Sequence, residues 1–386
     1  MELLSVTMND GVKPRSEIEG KDNSSEDKSN YKIVRKGDMV YNSMRMWQGA
    51  NGISPCDGIV SPAYTVLMPK QEINNGYFAA LFKSANLINE FRKNSQGMTS
   101  DTWNLKYPQI ETIKIQIPSV SEQDKVSELF GVLDARIVAQ AQLIEALKKY
   151  KRGSLSALFP KKGEITPQYR FAGFTKPWEQ RKLSEMCGTF EYGLNAAAKE
   201  FDGKNKYIRI TDIDDASREF LLSDLSSPDI CLDGMSKYLL SSGDIVFART
   251  GASVGKTYIY RENDGIVYFA GFLIRAKVNQ DNDAEFVFQS TLSPSYEKYI
   301  RITSQRSGQP GVNAQEYGEY DLFAPSKEEQ QRIGHFLRGI DNLITLHQRK
   351  GKAAVSGCSN DTNNSKGVCC NAGDFGYKCH KKVESQ

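Results

Sequence analysis

The sequence lacks any long hydrophobic run, which excludes one broad class of protein. No segment approaches the roughly 18 consecutive apolar residues that a membrane-spanning helix needs. The first residues, Met1 to Thr7, carry no basic flank followed by an apolar stretch, so no signal peptide can be read. We therefore expect a cytoplasmic protein without a membrane partner.

Cysteine is scarce in most of the chain and crowded at one end. Only Cys56, Cys187 and Cys231 lie in the first 350 residues, which is typical of a reduced protein without disulfides. Residues 351–386 are rich in Gly, Asn, Ser and Lys, which predicts a disordered tail. The tail contains the remaining cysteines and one histidine: Cys358, Cys369, Cys370, Cys379 and His380. These residues could ligate zinc, but none forms a Cys-x-x-Cys pair, so we expect no metal. The alternative to a zinc site is a tail whose sequence is unrelated to the fold.

The excess of positive charge is also small. The formal net charge is +3, with 50 basic and 47 acidic side chains. Binding to nucleic acid through the overall field of the protein is therefore excluded, and local basic patches would be needed. Composition otherwise fits an ordinary globular chain with room for about two domains.

The chain does contain an internal repeat. Asp57-Gly-Ile-Val recurs as Asp264-Gly-Ile-Val at a step of 207 residues, and Pro118-Ser recurs as Pro325-Ser at the same step. Because one offset holds over about 100 residues, we predict two copies of one unit, each a mixed domain followed by a helix.

Both helices have a readable start. Each follows a proline with Ser-x-x-Glu, in which the serine and glutamate side chains can satisfy free amides of the first turn. Apolar residues then recur at spacings of three and four, as in a coiled-coil seam. Two surface helices, each packed on its own domain, are the alternative, but the shared register favours pairing. The predicted seam consists of Val126, Phe130, Leu133, Ile137, Ile144, Ile333, Leu337, Ile340 and Ile344.

Each domain is expected to mix strands and helices. Short strands are predicted where Asp38-Met-Val-Tyr-Asn and Asp244-Ile-Val-Phe-Ala follow a glycine turn, and further strands at 62–68 and 269–278. Residues 75–91 are predicted to form a helix. Trp178 lies 65 residues before Gly243, whereas only 36 residues precede Gly37, so we expect the first copy to be incomplete.

These motifs resemble a known family. The run from Pro325 to Asp341 and the run from Gly243 to Thr257 are similar to specificity subunits of type I restriction-modification enzymes. The run from Tyr41 to Ala50 resembles another target-recognition variant of that family. The resemblance covers about residues 1–350, with the motifs occurring twice in the same order.

The resemblance implies a fold and a function. The fold class would be α/β (mixed α+β), with two repeated target-recognition domains joined by two long antiparallel coiled-coil helices. The chain would read a bipartite site in double-stranded DNA and direct methyltransferase subunits and restriction nuclease/translocase subunits to it. It would not itself be an enzyme, and S-adenosylmethionine, ATP and magnesium would belong to the partner subunits.

The resemblance also divides the chain. A first target-recognition domain, lacking its N-terminal portion, is expected at 1–118 and is followed by a long helix at 119–160. A second target-recognition domain is expected at 161–324, followed by a shortened second helix at 325–350 and the tail at 351–386.

Three polar clusters are candidates for DNA contact. Arginine can read guanine with two hydrogen bonds, glutamine can read adenine, and lysine mainly contacts phosphates. A solvated surface charge is the alternative for each single residue, so the clusters carry more weight than their members. They comprise Arg45, Trp47 and Gln48; Arg249 and Lys256; and Arg301, Gln305, Arg306 and Gln309.

Catalytic motifs are missing. The run Gly251-Ala-Ser-Val-Gly-Lys-Thr is not a nucleotide-binding loop, because Thr250 stands where the first glycine is required. No Asn-Pro-Pro-aromatic motif for a flipped adenine is present, and we expect no catalytic residue. A coiled-coil scaffold that does not read DNA is the alternative function.

Overall fold

The computed structural model describes residues 1–356 except 21, 23, 162 and 307, with backbone only for 352–356. The predicted disordered tail therefore lies almost entirely outside the described residues. The described residues divide into two compact units, residues 1–139 and residues 140–354. No helix in the described part of the chain is both long enough and apolar enough to cross a membrane.

The first unit is built on two small sheets. Its strands are β1 Glu2–Thr7, β2 Gly11–Pro14, β3 Lys32–Val34, β4 Met39–Asn42, β5 Asn51–Ile53, β6 Gly58–Val60 and β7 Tyr64–Leu67. One sheet has the order β2-β1-β6-β3, in which β1 runs parallel to β6; the other is antiparallel with the order β5-β4-β7. Its helices are α1 Asn75–Leu81, α2 Ala85–Asn94, α3 Tyr107–Ile110 and the start of α4 Val120–Leu158.

The second unit begins with the rest of α4 and has more strands. They are β8 Glu179–Lys182, β9 Cys187–Tyr192, β10 Ala198–Glu200, β11 Lys206–Ile208, β12 Ser226–Pro228, β13 Asp244–Ala248, β14 Thr257–Ile259, β15 Val267–Phe269, β16 Leu273–Val278 and β17 Asp321–Ala324. An antiparallel sheet of order β14-β13-β16-β9 forms its centre, beside the pairs β10-β12, β11-β15 and β17-β8. The helices are α5 Leu183–Met186, α6 Ala284–Ser290, α7 Pro294–Thr303, α8 Ala314–Gly318 and α9 Lys327–Ser356.

The internal repeat is visible in these elements. The central strands β4 and β13 each follow a glycine with positive φ, +91° at Gly37 and +82° at Gly243, a conformation that favours glycine over other residues. Each copy then carries a helix pair, α1–α2 or α6–α7. The predicted single helix over 75–91 is wrong in this respect: it is broken before Ser84, whose hydroxyl accepts the Leu87 amide and begins α2.

A buried glutamine attaches each long helix to its own domain. Gln330 donates to the Pro325 carbonyl (3.0 Å) and accepts the backbone amide of Asp283 (3.0 Å), the residue that caps α6. Gln123 makes the same two contacts, with the Pro118 carbonyl (2.9 Å) and the amide of Asn74 (3.0 Å). Both glutamines are nearly inaccessible, at 1% and 3% exposed for Gln123 and Gln330. We call this pair of contacts the glutamine clasp.

The glutamate next to the Gln330 clasp forms an ion pair in place of the predicted helix cap. Glu329 accepts two hydrogen bonds from Arg170, at 2.8 Å from Nε and 2.6 Å from Nη2, and is 1% exposed. A carboxylate buried to this extent requires a cation more than it requires a helix amide, since an unpaired buried charge is costly. The corresponding Glu122 is exposed.

Within the second unit, α4 and α9 lie antiparallel. Gln140 Nε2 donates to the His347 carbonyl at 3.0 Å, and Lys151 forms an ion pair with Asp341 at 2.5 Å. Ile333, Leu337, Ile340 and Ile344 are all buried in the same cluster as Leu155 and Leu158 of α4. The α9 half of the predicted seam is thus packed.

The α4 half of the seam is more open. Ile144 and Val126 are half-buried, and the remaining three members are largely accessible: Phe130 at 45%, Leu133 at 41% and Ile137 at 50%. These three lie in the part of α4 that belongs to the first unit.

We predict that Gln330→Ala lowers the free energy of unfolding by about 1–3 kcal/mol, because it leaves a buried amide and a buried carbonyl without a partner. Gln331→Ala is the matched control, since Gln331 is the next residue of α9 and is exposed. Urea denaturation of both variants measures the effect, and equal midpoints would contradict the role of the clasp.

Candidate nucleic-acid interface

The site of the second unit starts where its central strand ends. All five residues of β13 are buried between β14 and β16, and Arg249 is the first residue after them. Its amide donates to the Phe272 carbonyl at 3.0 Å, and its carbonyl accepts the Val312 amide at 2.9 Å. The backbone of Arg249 is therefore held from two sides by other loops.

The Arg249 side chain lies against two aromatic rings. Its guanidinium carbon is 5.1 Å from the centre of the Tyr192 ring and 5.8 Å from that of Phe272. Its Nε is buried without a hydrogen-bond partner. Both rings remain accessible, Tyr192 at 45% and Phe272 at 56%. The sequence analysis missed both aromatics; the signal available was that each adjoins a glycine, Tyr192-Gly193 and Gly271-Phe272.

One glycine lets these loops approach. A Cβ on Gly193 would lie 2.2 Å from the Ala270 carbonyl oxygen, so only glycine fits there. The loops enclose a cavity of about 660 Å³ whose polar lining includes Asn195, Arg209 and Thr211. Arg209 is committed to Asp212, with Nε and Nη2 each 2.9 Å from a carboxylate oxygen.

The loop after α7 lies against the same strand end. The Gly251 amide donates to the Pro310 carbonyl at 3.0 Å, and Thr250 forms a β-bridge with Gly311. A Cβ on Gly251 would be 2.9 Å from Gln309 Nε2. The structure thus brings Gln309 next to the Arg249 loop, although the two residues belong to separate clusters in the sequence.

The other members of this predicted cluster, which begins in the last turn of α7, are exposed but not all free. Arg301, Gln305 and Arg306 are all exposed. Arg306 forms an ion pair with Glu316 and donates to the Thr303 carbonyl at 2.7 Å. Arg301 is therefore the more available cation of the pair.

Lys256 is separated from Arg249. It forms an ion pair with Asp215 at 2.5 Å, and its side chain is only 15% exposed. It lines a different cavity of about 570 Å³, together with Arg152, Arg218 and Arg301. Its assignment to DNA contact stays a prediction, and its present geometry neutralises its charge.

The glycine turn between Arg249 and Lys256 is held by hydrogen bonds within the protein. The Gly255 amide donates to the Ala248 carbonyl (2.9 Å) and to the Tyr317 hydroxyl (3.1 Å). An amide with these partners is not available to a phosphate group, which agrees with the failed spacing of a nucleotide-binding loop.

The first unit places its candidates on a tight turn. Arg45, Trp47 and Gln48 lie in or beside the 3-10 turn Met46–Gln48 that follows β4, and all three are half-buried. The Trp47 ring meets Trp103 edge to face at 5.2 Å, and the Arg92 guanidinium lies 5.7 Å from its centre. The structure brings the three predicted residues together and adds Arg92 and Trp103, which the sequence analysis missed.

Two ionisable groups of the second unit with strongly raised pKa values, Cys187 and Tyr320, are buried. Burial raises the pKa of the Cys187 thiol to about 12 and the pKa of Tyr320 to about 12. Both groups are thereby held neutral at physiological pH, so that neither provides an ionised nucleophile.

Comparison with known proteins identifies related sequences. A family model described as type I restriction modification DNA specificity domain matches residues 5–149 and 175–355. The type I restriction enzyme MjaVIII specificity subunit of Methanocaldococcus jannaschii is 25% identical over 84% of this chain and 76% of its own. The type I restriction enzyme StySPI specificity subunit of Salmonella potsdam is 24% identical over 72% of this chain. The match spans 60% of the Salmonella protein, less than two thirds of its length.

A solved structure shares the fold. The type I restriction-modification system S subunit from M. genitalium superimposes with a TM-score of 0.54 at 16% identity, covering 84% of this chain and 82% of its own. The expected mixed α+β fold with repeated domains and long helices is confirmed.

We predict that Gly193→Ala destabilises the second unit by about 1–3 kcal/mol, because the added methyl group collides with the Ala270 carbonyl and must separate the two loops. Gly271→Ala is the matched control, since the nearest atom to a Cβ there is 3.4 Å away, an ordinary contact. Thermal unfolding of both variants tests this; a fully stable Gly193→Ala protein would refute the tight approach.

Proposed function

Since this chain belongs to the type I restriction modification DNA specificity domain family, we propose that it reads a bipartite site in double-stranded DNA. Each unit reads one half of the site. The chain then directs methyltransferase subunits and nuclease/translocase subunits to that site. S-adenosylmethionine, ATP and magnesium belong to those partner subunits.

One observation carries the proposal. Both units end a buried central strand at an accessible polar and aromatic cluster, but the side chains in the two clusters differ. After β4 the cluster contains Trp47, Trp103 and Arg92, whereas after β13 it contains Arg249, Tyr192 and Phe272. A repeated framework with unlike contact residues suits the reading of two unlike DNA sequences, since base edges are distinguished by the side chains that meet them.

Two observations support a non-catalytic role for this chain: its sequence lacks catalytic motifs, and its relatives are named as specificity subunits. Both curated relatives are named as specificity subunits, in agreement with the expectation that this chain is not a catalytic subunit. Choice of sequence is its contribution, and methyl transfer and cleavage belong to the partners.

Mapping of methylated adenine tests the proposal directly. Genomes from cells with and without the gene should differ by one bipartite methylated motif, which returns when the gene is restored. Identical methylomes, with the partner subunits present, would contradict the proposal.

We predict that exchange of residues 174–324 for the equivalent segment of another family member changes one half of the methylated motif and leaves the other half intact. The reason is that each unit has its own core and its own contact cluster. Methylome sequencing of the hybrid measures the outcome. A change in both halves would show that the units do not read independently.

We also predict that Arg301→Gln weakens binding of the full complex to duplex DNA without changing its sequence preference. Loss of one phosphate contact lowers the slope of log affinity against log salt by about 0.9. Arg181→Gln is the matched control, because Arg181 is exposed and ion-paired to Glu179 on β8, outside the loops of the site. If the slope of log affinity against log salt is equal for both variants and the wild type, Arg301 does not contact a phosphate. Salt-independent binding by the wild type would favour the scaffold alternative.

A further inference from the structure

We propose that Arg249 reads a guanine in the half-site of the second unit, and that Tyr192 and Phe272 are positioning residues that orient its guanidinium for this contact. The inference rests on the proposed function and assigns the chemistry of one base position within it.

Arg249 carries an uncompensated positive charge. Its cationic neighbours have carboxylate partners: Arg209 pairs with Asp212, and Arg275 pairs with Glu191 and Asp244. Within the described residues, no carboxylate lies within ion-pair distance of Arg249; its contacts are the two ring faces. A guanidinium held in this way remains able to bind an incoming acceptor.

The position of Arg249 is fixed by its neighbours. Hydrogen bonds hold the Arg249 backbone on both sides, and the Tyr192 hydroxyl accepts the Ala314 amide at 3.3 Å. The close approach of Gly193 to Ala270 holds the loop of Tyr192 against the loop of Phe272. A side chain that must make two parallel hydrogen bonds benefits from such restriction, because less conformational entropy is lost on binding.

The Nε of Arg249 is buried and points away from solvent. This donor has no partner in the structure, although buried polar groups are nearly always hydrogen-bonded. With Nε turned inward and the rings along the guanidinium, the terminal amino groups are the part left to meet a ligand.

These features favour a base over a phosphate. A phosphate contact needs a positive charge but little orientation, and flexible lysines supply it. Guanine presents O6 and N7 in the major groove, which match the two donors of one arginine edge. Phe272, which is 56% exposed beside the arginine, offers a further apolar contact to the neighbouring base.

The test compares three variants of the full-length chain in complex with its methyltransferase subunits: Arg249→Lys, Phe272→Leu and Arg301→Gln. Each complex selects from a library of duplexes randomised across the methylated motif. Arg249→Lys keeps the charge but cannot form the paired contact, so we expect discrimination at one G·C position to fall about 5- to 150-fold. Phe272→Leu removes one ring and should reduce the same discrimination about 2- to 5-fold.

The remaining positions of the motif should be unaffected, and Arg301→Gln should leave discrimination unchanged at every position. Because Phe272 is 56% exposed, its substitution by leucine is expected to preserve folding, which a thermal melt confirms. Retention of the full motif by Arg249→Lys, or equal weakening on all sequences, would overturn the inference and indicate a phosphate contact. Failure of the wild-type complex to select any motif would instead refute the proposed function itself.

Discussion

The rest of the structure depends on the glutamine clasp. In each unit one buried glutamine joins the carbonyl of the proline before a long helix to the backbone amide of the residue that caps α1 or α6. A buried amide side chain that is satisfied at both ends can occupy only one position, because every alternative leaves a buried polar group unpaired. The long helix is thereby attached to the domain that precedes it along the chain.

The attached helices pack on the central sheet, and the strands of that sheet lead to the polar loops. In the second unit, Phe286 of α6 and Phe247 of β13 lie in one core cluster with Leu337 of α9. The residue after β13 is Arg249, whose surroundings are set by the strand ends and loops packed on that core. Rigid strands that carry polar side chains at their ends can present those side chains with little cost in conformational entropy.

The net charge of the chain is only +3, but individual cations differ in whether a carboxylate neutralises them. Lys256, Arg209 and Arg275 are neutralised by carboxylates within the second unit. Arg249 has aromatic rings in their place. Under the proposed function, such a protein would attract DNA less through its overall field than through a few placed donors, and its affinity would depend on which cations are left unpaired.

Patterns in the sequence predicted much of the framework. The repeated Gly-Asp-Met/Ile-Val runs are strands β4 and β13, and the two Pro-Ser motifs do precede α4 and α9. These signals are local: a glycine with positive φ, a strand of apolar residues and a helix with apolar residues at spacings of three and four. The break of the predicted helix over 75–91 at Ser84 was missed because a serine inside an amphipathic pattern can either continue a helix or cap the next one.

The sequence by itself determined the duplication, the strand and helix starts, and the loops that follow the central strands. Only the tertiary structure decided which side chains in those loops are available. Lys256 and Arg249 lie seven positions apart in one run, yet Asp215 neutralises the first and two rings surround the second. Tyr192 and Phe272 come from 57 residues before and 23 residues after Arg249. Ion pairs and cation–π contacts depend on distances of a few ångströms between distant segments, and these distances exist only once the sheet has formed.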